Sequence, residues 1–121
     1  MLTILLLTML FGGGSAAEVF TRSDFRMVER AIYVPERAEA ASQSMQRINE
    51  NLDTLLQFRT ESFEQLSALD DSVTAPAAEY ERIFDRLWEA RRNAQSNYID
   101  EVFILRETMT REEWDATFGP T

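Results

Sequence analysis

Apolar positions along this chain fall into three stripes at helical spacing, each bounded by proline or by a short polar stretch. The first stripe is brief: Phe25, Val28 and Ile32 share one face of a segment over residues 24–34, and Pro35 closes it. The second begins near Glu36 and recurs at Met45, Ile48, Leu52, Leu55, Phe63, Leu66 and Leu69, with Arg59 in its one polar slot. No glycine or proline interrupts it. The run Asp70-Asp71-Ser72-Val73-Thr74-Ala75-Pro76 then supplies turn chemistry, and Pro76 suits the first position of a following helix. The third stripe passes through Tyr80, Phe84, Leu87, Ala94, Tyr98, Val102 and Leu105 to about Thr108, with Arg91 in its polar slot.

Two such segments, at 1.5 Å per residue, make helices of about 50 Å, and the short turn between them forces them antiparallel. Folding the chain about residue 73 sets Leu66 near Tyr80, Phe63 near Phe84, Leu52 near Ala94 and Ile48 near Tyr98, which makes Tyr80, Phe84 and Tyr98 core positions. A hairpin alone is too thin. The run Val102-Phe103-Ile104-Leu105 is apolar all round its helix and calls for cover on more than one side. It lies at the open end of the hairpin, as do residues 24–34 and 111–118, so Phe25, Val28, Ile32, Trp114 and Phe118 are its natural lids. The prediction is an all-α fold, a long antiparallel helical hairpin with two short flanking helices packed at its open end.

The first residues have a different character. Residues 2–11 read LTILLLTMLF, three glycines follow, and Ser15-Ala16-Ala17-Glu18 offers a small-x-small site for cleavage after Ala17. The run is shorter than the ~20 apolar residues that cross a bilayer and has no basic residue ahead of it. Residues 1–17 are expected to be a signal peptide or an N-terminal membrane anchor, and residues 18–121 the α-helical domain. Either reading exports the domain to a periplasmic or other extracytoplasmic space, free or held at the membrane by its N-terminus.

Composition then narrows the chemistry. The chain carries 12 basic and 21 acidic side chains, net −9, and every basic residue is arginine. Without a basic stripe such a surface repels phosphate backbones, so nucleic acid is not an expected partner. There is no histidine, cysteine or lysine, which removes the side chains that titrate or attack most readily near neutral pH. It also removes nitrogen and sulfur ligands for zinc or copper. Carboxylate pairs such as Glu61 with Glu64 or Glu112 with Glu113 read as solvated helix faces, and no phosphate-binding glycine loop or nucleophile elbow is present. No enzyme activity, cofactor or metal is expected.

Two short motifs flank the hairpin. Thr110-Arg111-Glu112-Glu113 before Trp114 is a capping box, in which the threonine oxygen accepts from the amide of the fourth residue and that residue's carboxylate accepts from the threonine amide. Thr21-Arg22-Ser23-Asp24 before Phe25 repeats the order with a shorter acid. With the preceding Met109 and Phe20, these boxes resemble the paired L-T-x-x-Q boxes of extracytoplasmic proteins of the Spy and CpxP type. Leucine is replaced by methionine or phenylalanine, and glutamine by an acid. The resemblance covers residues 20–118. It implies a periplasmic, often dimeric, cradle-shaped protein that shields unfolded clients without ATP or attends a sensor kinase, in the setting of a stress response. The histidine-rich metal sites of some relatives have no counterpart here.

Protein binding is therefore the expected function, with a protein partner, an unfolded client or a second copy as occupant. Its candidate residues are Trp88, just past the stripe residue Leu87, together with Arg59, Arg91 and Arg92 on one concave face, because binding surfaces favour aromatics and arginine. Against this stands the simpler role of the arginines as rim residues whose stems cover core.

Overall fold

The computed structural model describes residues 19–119, so the segment expected to be a leader or anchor lies outside the described residues. Four helices follow one another: α1, Arg22–Ala31; α2, Pro35–Asp70; α3, Ala77–Thr108; and α4, Arg111–Phe118. The described residues contain no strand. Both capping boxes close and start the two short helices at Thr21 and Thr110. Pro35 opens α2, where its missing amide costs no helical bond. Pro76 sits one step earlier than the spacing suggested, as the extended residue that caps α3 rather than its first helical residue.

Polar contacts between the two long helices fix the direction of the hairpin. Tyr80 donates to Asp70 across the turn, Arg47 Nε donates to Glu101 at 2.8 Å further up, and Arg37 Nη1 donates to the Thr108 carbonyl at 3.1 Å at the open end. As one residue number falls its partner rises, so α2 and α3 run antiparallel along their length.

The seam differs from the expected one in its lower half. Met45, Ile48, Leu52 and Leu55 are buried as foreseen, but the next positions inward are Arg59, Ser62, Leu66 and Leu69, of which Ser62 is fully covered. This continues a strict alternation of three and four residues. Stepping from Leu55 through Arg59 to Phe63 takes two fours in a row and turns about 80° away from that line, since four residues overshoot one turn by about 40°. Phe63 is accordingly 50% exposed, and on α3 Ile83 is buried while Phe84 is 49% exposed. Tyr80 and Tyr98 are half-buried. Neither Phe63 nor Phe84 is a core residue.

At the open end, Val28, Ile32, Phe25, Trp114 and Phe118 do close over the hairpin. One fully covered residue of this lid is one the apolar stripes did not include. Phe20 is wholly buried, its ring 5.5 Å from that of Phe118, and Val19 is buried beside it. The run over 102–105 is covered on one side only: Leu105 is buried and Val102 half-buried, whereas Phe103 and Ile104 are exposed. Phe103 and Ile104 stand about 100° and 200° round the helix from Val102 and so point away from the lids. The lids are also short. Helices of 10 and 8 residues span about 15 and 12 Å, against about 54 Å for the 36 residues of α2. Among the described residues, two short lids cover the open half of the hairpin and leave the half nearer the turn as a bare pair of helices.

A candidate protein-binding flank on the bare half of the hairpin

Asn49, Leu56 and Phe63 recur every seven residues along α2, so they stand in one line two turns apart. On α3 the corresponding line is Val102, Gln95 and Trp88. Each line lies one residue C-terminal to the seam. Because both helices are right-handed and run in opposite directions, that same offset turns both lines toward the same side of the hairpin. The upper members meet the lid, since Asn49 bonds the backbone of Val19 and Phe20, and Leu56 and Val102 pack against the open-end core. The lower members, Phe63 and Trp88 with Phe84, continue the same face without cover, and Trp88 is 60% exposed.

Two of the rings carry an arginine from their own helix. The Arg59 guanidinium lies 5.5 Å from the Phe63 ring centre, and that of Arg91 lies 5.8 Å from the Trp88 ring. An exposed pairing of this kind contributes about 0.5–1 kcal/mol. Three of the four expected binding residues, Trp88, Arg59 and Arg91, thus share a flank, with Phe63 and Phe84 added. Arg92 does not join them. It follows Arg91 by one residue, a turn of about 100°, and stands exposed on the outer side of α3. Phe63 and Phe84 were missed because they had been assigned to the seam.

Charge is unevenly placed along the flank. Arg59 and Arg91 border the aromatic rings on the side of the open end. Continuing the two lines by seven residues toward the turn reaches Asp70 and Glu81 instead. The flank therefore runs from cationic, through aromatic, to anionic.

The capping residues Thr21, Asp24, Thr110 and Glu113 do structural work far from this flank. Thr21 N donates to Asp24 Oδ2 at 2.9 Å, and Thr110 N donates to Glu113 Oε1 at 2.8 Å. Glu113 has a second task that no motif announced: its carboxylate accepts both Nη groups of Arg37, at 2.6 and 3.0 Å. This two-pronged pair ties the start of α2 to the start of α4. The Arg37 hydrogen bonds hold the Glu113 carboxyl below the usual carboxylate range, with the Thr110 amide helping and partial burial opposing. A second pair, Arg47 with Glu101, sits beside buried Ser44, and the other carboxylate oxygen of Glu101 is buried without a hydrogen bond.

An open groove of about 670 Å³ separates the end of α1 from the start of α2, lined by Ile32, Tyr33, Ala38, Ser42 and the acids Glu29 and Glu39. Among the described residues no three histidine, cysteine or acidic side chains gather as a metal site, and no helix is long and apolar enough to cross a membrane. No protein-family model, no curated protein and no solved structure matches the chain.

Proposed function

We propose that this chain is an exported, non-enzymatic helical interaction protein that holds polypeptide segments on the bare flank of its hairpin. The observation that carries this reading is the uncovered row of Phe63, Phe84 and Trp88, three large rings in line with a face that the lid helices bury elsewhere. Leaving three such rings half in water forgoes several kcal/mol of burial, a cost that makes sense on a surface that is covered part of the time. Flat aromatic faces edged by arginine accept many apolar sequences, as a periplasmic stress holdase or a sensor-accessory protein requires. The resemblance to the Spy and CpxP type and the apolar run at residues 2–11 support the same compartment and role.

The second reading is a membrane-anchored structural or assembly subunit with one dedicated protein partner. The apolar opening favours it, if that segment is retained. Protein recovered from the exporting cell separates the two. A holdase suppresses aggregation of an unfolded substrate at stoichiometric amounts without nucleotide, and loses that ability when Phe84 and Trp88 become alanine. A dedicated subunit fails that assay but yields a single partner when a photo-cross-linker replaces Trp88. Failure of both assays sinks the protein-binding reading, and the intact mass of the recovered chain, starting at Glu18 or at Met1, decides between leader and anchor.

A further inference from the structure

We infer that the open groove between the end of α1 and the start of α2 is a second binding site, and that its occupant is an arginine-bearing segment of an unfolded polypeptide. This adds a contact to the protein-binding reading and rests on it for the class of ligand. The groove follows from local chain geometry. Proline disfavours helical backbone at the residue before it, so α1 stops at Ala31, Ile32 and Val34 are extended, and α2 starts at Pro35. The two helices leave that corner with a wedge of about 670 Å³ between them. On α2 its wall is the face that carries Glu39, Gln43 and Gln46, spaced by four and three residues; α1 contributes Glu29, and Tyr33 stands at the corner.

The lining is chosen for a cation. Each helix supplies one carboxylate, Glu29 and Glu39, and among the described residues neither is in an ion pair. No arginine belongs to the lining: Arg26 and Arg30 lie elsewhere on α1, and the guanidinium of Arg37 is held by Glu113. Tyr33 is 90% exposed, which leaves its ring open to a cation. Gln43 and Gln46 add carboxamide oxygens, and Ala38 with Pro35 gives the aliphatic stem of a side chain an apolar surface. A planar guanidinium stacks on an aromatic ring and forks to a carboxylate, and it is less strongly hydrated than an ammonium group, so arginine matches this set better than lysine. The volume lies in the range of ligand sites and has room for an arginine with its neighbours rather than for one side chain alone. A net charge of −9 draws basic segments toward the molecule. The groove and the flank therefore differ in what they select, cations in one and apolar groups in the other.

Fluorescence anisotropy of a short dye-labelled peptide, with arginine between alanine and leucine at its centre, tests this when titrated with the full chain in about 0.1 M salt. The wild type should bind it about tenfold more tightly than the same peptide with glutamate in place of arginine. Glu29→Gln with Glu39→Gln should weaken binding about tenfold, and Tyr33→Ala about threefold. Glu61→Gln with Glu64→Gln removes the same charge from a part of α2 about 22 Å beyond Gln46, more than a screening length away, and should leave binding within about twofold. All five positions are exposed, and far-UV circular dichroism confirms that each variant is folded. No binding by the wild type, equal binding of the glutamate peptide, or an equal loss from the Glu61 and Glu64 pair overturns the inference, the last because net charge then explains it. Spermidine bound as tightly as the arginine peptide also overturns it, since the groove would then take a bare cation and not a polypeptide. If the groove fails while alanine at Phe84 and Trp88 still abolishes aggregation suppression, the reading of the flank stands alone; if both fail, the protein-binding reading goes too.

Discussion

Asn49 illustrates how much one polar side chain contributes at the open end. Its carboxamide oxygen accepts from the amides of Val19 and Phe20, at 3.1 and 3.0 Å, and its nitrogen donates to the Phe20 carbonyl at 2.9 Å. The strap that carries the buried Phe20 ring therefore has its backbone satisfied by a single residue of α2. Asn49→Ala is expected to lower unfolding stability by about 2 kcal/mol, since partly buried backbone groups lose their partner; urea unfolding measures it, and a change of only a few tenths would show that water substitutes freely. Glu113 gives a pH dependence of known sign. Its carboxyl binds a proton less readily in the folded chain than in the unfolded one, so the Arg37 pair contributes fully above the ordinary value of 4.5 and is lost as pH falls through the lower folded value. Glu113→Gln should flatten the acid side of the stability profile while leaving the neutral side less stable than wild type. Arg37, already protonated throughout this range and raised further by Glu113, adds no slope of its own.

Among the elements, α1 and α4 depend on their caps and α2 on its seam. Short helices are marginal alone, and Thr110 supplies the first turn of the 8-residue α4. Thr110→Ala is expected to cost about 1 kcal/mol by thermal unfolding. On α2 the buried Ser62 bonds back to the Phe58 carbonyl at 2.8 Å and fills a position where its neighbours up the helix are Met45, Ile48, Leu52 and Leu55. Such a back bond competes weakly with the helix, and serine has a lower helix propensity than alanine. Ser62→Ala should therefore stabilise the fold by about 0.5 kcal/mol, whereas Phe63→Ala, one residue away and half in water, should change stability far less than a core phenylalanine does. If Phe63→Ala proved as damaging as a core truncation, the seam described above would be in the wrong place. The helices themselves were legible from periodicity, proline and capping pattern. The phase of the seam beyond Arg59 was not, because a polar residue at the inward position left Phe63 as the nearer apolar choice.

At the scale of the whole molecule, cover is unequal between the two ends. Among the described residues, the open half has the hairpin, the strap and two lids, and the half near the turn has two helices and no third layer. Hydrogen exchange should follow that division, with amides over residues 45–55 and 98–105 protected to near the global unfolding energy and those flanking the turn opening far more readily. Uniform protection along α2 would contradict it. The sequence determined what depends on local spacing: an all-α fold, the four helices of the described residues, the turn that makes two of them antiparallel, and the capping residues that start the short ones. It also set Trp88 at the edge of the stripe, one position past Leu87, where either packing or partner contact was open. Only the tertiary structure decided which side of the hairpin the lids occupy, that Arg37 reaches Glu113, that Asn49 holds the strap, and that Phe63 and Phe84 stand uncovered beside Trp88. Those facts join residues tens of positions apart. Periodicity reports which face of a helix is apolar, but which part of that face is buried depends on how far the lid helices reach along it, and that is set by how the elements pack.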